Sequence, residues 1–163
     1  MLTIIQQNQS LIEQAIRLIS NMQPLLYKQC CEDVFASSIG QHMRHCIEHY
    51  DELFIAYTDK RVVRYHERPR NMEVETDSTV AANRLRFIHN QLERIGSENI
   101  SLEVSDGGTA DPSKSSLARE LEFLISHTVH HFALITVIAN KLQIKVPEDF
   151  GIAPTTLKYR KSN

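Results

Sequence analysis

The chain has no surplus of charge of either sign: 18 Lys and Arg stand against 20 Asp and Glu, a formal net charge of −2. A nucleic-acid binder needs a basic face to neutralise phosphates, and here the cations are scattered except for a short run from Lys60 to Arg70. Nucleic acid is therefore not an expected partner. No apolar run approaches the roughly 20 residues of a membrane-spanning helix, so no membrane association is expected. The start, MLTIIQQNQS, lacks the basic residues and small-residue cleavage site of an export signal, which points to a cytoplasmic protein. Cysteine is scarce and odd in number: Cys30, Cys31 and Cys46, two of them adjacent, do not make a disulfide framework. The thiols are expected to be reduced, with Cys46 a small buried hydrophobe. Internal repeats and low-complexity segments are also missing. What remains is 163 residues, 42% hydrophobic and 23% charged, the size and composition of one globular domain over residues 1–163.

Helical periodicity fills most of that length. A first helix is predicted from about Thr3 to Met22, with Ile5, Ile12, Ala15, Ile19 and Met22 on one stripe and Pro24 just beyond. A second starts at Ser37 or Ser38, both good N-caps, and runs to about Tyr57 with Ile39, Met43, Cys46, Tyr50, Leu53 and Tyr57 along a seam. A third is opened by Asp77 or Ser78 and closed by Gly96, its seam being Ala81, Leu85, Ile88, Leu92 and Ile95. The fourth and longest spans Ser115 or Ser116 to about Leu142, through Leu117, Leu121, Leu124, Thr128, His131, Ile135 and Ile138. Four amphipathic helices of this kind predict an all-α four-helix bundle. Between the second and third lies a long polar crossover in which Pro69 rules out a continuous helix. Residues 101–113 predict a short hairpin or an irregular loop around Gly107 and Gly108, and the stretch after Leu142 an irregular tail with a turn near Thr155.

Function becomes visible where the seams stop being apolar. His42, His45 and His49 fall within two turns of the second helix, and His127, His130 and His131 within five residues of the fourth. At about 100° per residue, the first three lie within about 60° of one another, beside their helix's seam. His131 is itself a seam position and His127 stands one turn before it, so both face inward. Unpartnered imidazoles are costly to bury, by roughly 2 to 7 kcal/mol for a polar group without compensation. A shared divalent metal removes that cost. Neutral imidazole is the commonest metal ligand, and an i, i+4 pair plus one histidine from a facing helix leaves positions open for water or substrate. Zinc is the first expectation; nickel and iron(II) accept the same donors.

Other metal motifs fail on residue type. The run His127-Thr128-Val129-His130-His131 has no Glu in the place a zincin requires, and no Glu is followed three residues later by His as a di-iron bundle requires. The alternative to a metal is that the inward histidines bond one another, or a buried Glu such as Glu48 or Glu120. His42 and His49 are candidate metal-supporting or substrate-facing groups, with a surface or hydrogen-bonded role also open. His130 points about 100° away from His131 and replaces it as a ligand only if the helix rolls. His89 is read as structural. Tyr65, Arg68 and Arg70 lie on the crossover, where an arginine could hold an anionic substrate, or simply face solvent.

The segments SIGQHMRHCIEH at 38–49 and ELEFLISHTVHHFALI at 120–135, continued by VPEDFGIAPTTLKYR to Arg160, resemble the DinB-like superfamily of metal-binding four-helix bundles. The resemblance covers nearly the whole chain. It implies an up-down-down-up bundle with a long connection between its second and third helices, and a metal held by His45, His127 and His131. His45 is preferred to His42 because the family's ligand is the second His of a His-x-x-His pair. Activities in that family include mycothiol- or bacillithiol-dependent S-transfer, maleylpyruvate isomerisation and the metal-binding domain of ergothioneine-type sulfoxide synthases. The implied function is a metal-dependent small-molecule enzyme, a thiol-dependent transferase or hydrolase, using a low-molecular-weight thiol. Two alternatives stay open: a bundle, alone or as a homodimer, stapled by a structural metal and closed by His42 or Cys46 as a fourth ligand, and a metal-free interaction module.

Overall fold

Each long helix but the first begins where the sequence supplies a side-chain acceptor. In the computed structural model, which describes residues 1–96, 98–108, 111–153, 156–157 and 159–160, Ser38 caps one helix with a full capping box. Its hydroxyl accepts from the Gln41 amide at 3.1 Å, and the Gln41 side chain accepts from the Ser38 amide at 3.2 Å. The Asp77 carboxylate receives the amides of Thr79 and Val80, and Ser116 receives that of Arg119. The helices so placed are α1 (Leu2–Ser20), α2 (Pro24–Tyr27), α3 (Ile39–Asp59), α4 (Met72–Thr76), α5 (Ser78–Arg94) and α6 (Leu117–Lys141). The described residues are mostly helical, with one small hairpin, as the sequence predicts for the class.

Most of the predicted seam positions are core, with Tyr57 and His131 half-buried. Ile5, Ile12, Ala15, Ile19 and Met22 of α1 and its C-terminal flank, Ile39, Met43, Cys46, Tyr50 and Leu53 of α3, Ala81, Leu85, Ile88 and Leu92 of α5, and Leu117, Leu121, Leu124, Ile135 and Ile138 of α6 are all buried. Helix α1 packs on α5 and α6, and α3 packs on the same two from its own side. One buried polar group ties three of these together. Asn8 donates to the carbonyls of Ile4 at 2.9 Å and Leu121 at 3.2 Å, and accepts from the Tyr50 hydroxyl at 2.8 Å. Every group in that network is satisfied at full burial, which fixes register along α1, α3 and α6.

Helix α6 also carries a window with mean hydropathy of 1.4, long and apolar enough by length and composition to cross a membrane. That corrects the expectation that no stretch comes near this limit: the polar positions are spaced around the helix instead of interrupting it. Core helices of globular proteins meet the same criterion, and α6 packs on both α1 and α3.

The crossover is more ordered than a polar loop. Pro69 does break the chain, but a 3-10 turn at Tyr65–Glu67 precedes it and α4 follows it. Carboxylates of α3 hold this segment down. Glu52 accepts both Nη atoms of Arg61 at 2.8 Å and the Arg64 amide at 2.7 Å, and Glu48 accepts the Asn71 amide at 2.8 Å. Gly40 lets α4 lie directly on α3, since a Cβ there would sit inside contact distance of the Glu75 carbonyl oxygen. Tyr27 closes the other side, its hydroxyl donating to the Val74 carbonyl at 2.8 Å.

Of the two possibilities for residues 101–113, the hairpin is formed: β1 (Ser101–Val104) pairs antiparallel with β2 (Ser113–Ser116), Ser101 opposite Ser116. Val63 of the crossover bridges to Val104. The tail returns along the helices, with Phe150 stacked on Phe132 at 4.3 Å between ring centroids and the Gly151 amide donating to Gln14. The turn expected near Thr155 lies outside the described residues.

Candidate metal centre

Packing α3 against α6 brings the two histidine groups face to face. His45, His127 and His131 each present one ring nitrogen such that the three atoms lie within 4.8 Å of one another. Their ring centroids are 4.4 Å (His45 to His131), 4.6 Å (His127 to His131) and 5.0 Å (His45 to His127) apart. All three rings are half-buried. No Asp, Glu or Cys belongs to the group among the described residues.

Whether these residues suit a metal turns on how their polar atoms are satisfied. Nε2 of His127 is buried with no hydrogen-bond partner, an orphan on one of the three rings. The rings are also held neutral. Burial, followed by the charge of Arg68, brings His45 down to about 4, and burial brings His127 down to about 4 and His131 to about 3. Neutral imidazoles with unused lone pairs are the protonation state that a divalent ion of borderline softness requires. The residues fit the ion.

The surrounding side chains orient these three. Nδ1 of His42 lies 3.0 Å from Nδ1 of His131, and its Nε2 lies 3.0 Å from the Ser37 hydroxyl. Both nitrogens of His42 are therefore engaged. His49 is buried, and its Nδ1 donates to the His45 carbonyl at 2.7 Å, the only polarity that contact allows. Its ring lies 4.1 Å from that of His127, and burial drives its pKa to about 2. Tyr65 stacks on His49 at 5.1 Å and donates its hydroxyl to Glu120 at 2.9 Å. Glu120 is fully buried and also receives the Ser115 hydroxyl and Arg119. Arg68 places Nη2 3.3 Å from Nδ1 of His45.

Several sequence candidates fall elsewhere. His130 is exposed, touching His131 only edge-on, so the roll that would bring it inward is not taken. Cys46 is buried outside the group, its thiol pushed far up by burial. His89 sits with Glu13 at 3.2 Å and Glu93 at 3.9 Å, the structural role expected of it. Arg70 is exposed. Neither Glu48 nor Glu120 bonds a histidine: the first is taken by Asn71 and Arg44, the second by Tyr65, Ser115 and Arg119. Two residues of the site were not singled out from sequence. Phe123 stacks on His127 at 5.3 Å, and its position one turn before His127 was the available signal. Ser37 was read as a possible cap, but Ser38 takes that place and frees Ser37 for His42.

No family model matches the chain, and no solved structure matches it significantly. A similar curated protein is FK506-binding protein 5 of Rhizopus delemar, 31% identical over 120 residues, a match covering 69% of this chain. The chain spans 31% of that relative's length.

Proposed function

We propose that this chain is a DinB-like four-helix bundle, with α1, α3, α5 and α6 as its rods, that holds one divalent metal ion on His45, His127 and His131 and acts on a small molecule. The observation that carries this is the convergence of three ring nitrogens, one from each histidine, within 4.8 Å, and one of those rings, that of His127, has a buried Nε2 without a hydrogen-bond partner. When bound, such an ion supplies Lewis acidity that lowers the pKa of a water or thiol and so makes a nucleophile near neutral pH.

The rest falls to the chain's own residues. His42, backed by Ser37, fixes the plane of the His131 ring. His49, tethered to the His45 carbonyl and sandwiched by Tyr65 and His127, keeps one wall of the site apolar and neutral. Tyr65 and Phe123 limit the access of water from the crossover side. Zinc suits the all-imidazole set best, with nickel or iron(II) as substitutes. A closed structural site is less well supported, because His42 already uses both nitrogens and Cys46 lies outside the group. The Rhizopus relative lends no ligand, since its name describes a protein of which this chain spans less than a third.

Elemental analysis tests the assignment. Wild-type protein purified without chelator is expected to carry one divalent ion per chain, and His131→Ala to lose it together with any conjugation of low-molecular-weight thiols to electrophiles. Unchanged metal content in His131→Ala would defeat the site.

A further inference from the structure

Arg68 brings into the histidine cluster a positive charge with no ion-pair partner among the described residues. Among the described residues its hydrogen-bond contact is to His45 Nδ1 at 3.3 Å, and its Nε is buried without a hydrogen-bond partner. Among the described residues no carboxylate lies within ion-pairing distance of the guanidinium. The two acidic groups close enough to act on its charge, Glu48 and Glu52, are occupied. Glu48 accepts the Asn71 amide at 2.8 Å beside Arg44, and Glu52 accepts Arg61 twice and the Arg64 amide. A guanidinium stays charged at any ordinary pH, so leaving its Nε dry and unpaired is costly.

The contact to His45 does not survive metal binding. Arginine only donates, so the contact needs a lone pair on Nδ1 of His45. An ion bound through Nδ1 uses that lone pair, and an ion bound through Nε2 puts the imidazole proton on Nδ1. In both cases Arg68 is left without an acceptor. Two charges from the ion and one from Arg68 then share a site lined by neutral imidazoles, with no carboxylate in the ligand group among the described residues.

We infer that Arg68 anchors the carboxylate of a small-molecule substrate whose reacting end faces the three-histidine site, an inference that rests on that site holding an ion. The planar fork of a guanidinium matches two carboxylate oxygens bidentately. A phosphate would call for a second cation. Of the two cations close enough to act on Arg68, Arg44 is committed to Glu75 at 2.6 Å and Arg70 is exposed to solvent, outside the half-buried cluster. The substrate class is thus a compact acid bearing a metal-directed atom such as a thiol sulfur.

The experiment compares 3-mercaptopropionate with 3-mercapto-1-propanol, the same thiol with and without a carboxylate, titrated into cobalt(II)-loaded protein and followed by cobalt–thiolate absorption. The acid is expected to bind at least about tenfold more tightly, in line with a charge-assisted hydrogen-bonded pair. Arg68→Gln removes that advantage without changing the alcohol's affinity or the cobalt content, and Arg68→Lys restores part of it. Equal affinities in the wild type, or an advantage that persists in Arg68→Gln, overturn the inference. A chain that takes up no cobalt defeats the metal reading instead. The Arg68 Nε–H resonance of the metal-free protein then decides: a saturating shift with 3-mercaptopropionate supports the anchor, and its absence overturns it.

Discussion

His131 shows how a single ring is set by side chains outside the proposed ligand trio. Its Nδ1 faces Nδ1 of His42, so one of the two must carry the proton. For His131 to offer Nε2 to a metal, its own Nδ1 must donate. His42 then accepts at Nδ1 and donates from Nε2 to the Ser37 hydroxyl, which is the contact found at 3.0 Å. His42→Ala removes the acceptor and frees the ring to rotate, so metal affinity should fall about 10- to 100-fold while stoichiometry stays near one. Competition with a chromophoric chelator measures it, and an affinity within a factor of about two of wild type would mean that His42 only fills space. The same rings set a pH dependence in metal-free protein. His45, His49, His127 and His131 have folded-state pKa values of about 4, 2, 4 and 3, below the 6.5 of an unfolded chain. Between pH 6.5 and about 4 the unfolded state binds protons that the folded state refuses, so stability falls as pH drops through that window. Urea titrations across it should show the fall in wild type and a shallower one in His49→Phe; a flat profile in wild type would contradict the assigned burial.

Among the elements, α3 is where sequence and structure meet and part. Its seam and its cap were readable because both depend on neighbours within one or two turns: the steps of four and three from Ile39 to Leu53, and Ser38 with Gln41 three residues on. His42, His45 and His49 followed from the same periodicity, as did His127 and His131 on α6. What lies over α3 was not readable. The pins of the crossover join Glu52 to Arg61 and Arg64, and Glu48 to Asn71, pairs separated by loop residues that obey no period. Glu120 was considered for a histidine and belongs to Tyr65, a partner 55 residues away whose approach depends on the whole crossover. Gly40 belongs with these long-range facts, because only the docking of α4 gives its missing Cβ a purpose. Gly40→Ala drives a methyl into the Glu75 carbonyl, and a well-packed contact of this kind costs about 1 to 3 kcal/mol when overfilled. Denaturant unfolding should register that loss against the small gain in helix propensity that Ala otherwise brings; a variant as stable as wild type would show that α4 is free to lift away.

At the scale of the whole molecule, the histidine site couples two rods that are 82 residues apart in sequence if measured from His45 to His127, and only the folded chain presents the three nitrogens together. An ion that binds the folded state alone stabilises it by about 2.7 kcal/mol at a free concentration of 100 times its dissociation constant. For a chain of this size that is a rise in melting temperature of about 5 to 10 °C. Without the ion the sign changes at His127, whose buried Nε2 has no partner and whose ring stacks on Phe123 among neutral imidazoles. Replacing it by an apolar side chain of similar size removes an unsatisfied polar group, worth about 1 to 3 kcal/mol, and keeps most of the packing. His127→Leu is therefore expected to melt at or above the wild type in chelator and below it in zinc, so that the two curves cross. Elements that merely sit near a surface-bound ion would not produce a crossing. If chelator lowers the melting temperature of wild type and His127→Leu by the same amount, the ion is held somewhere other than between α3 and α6.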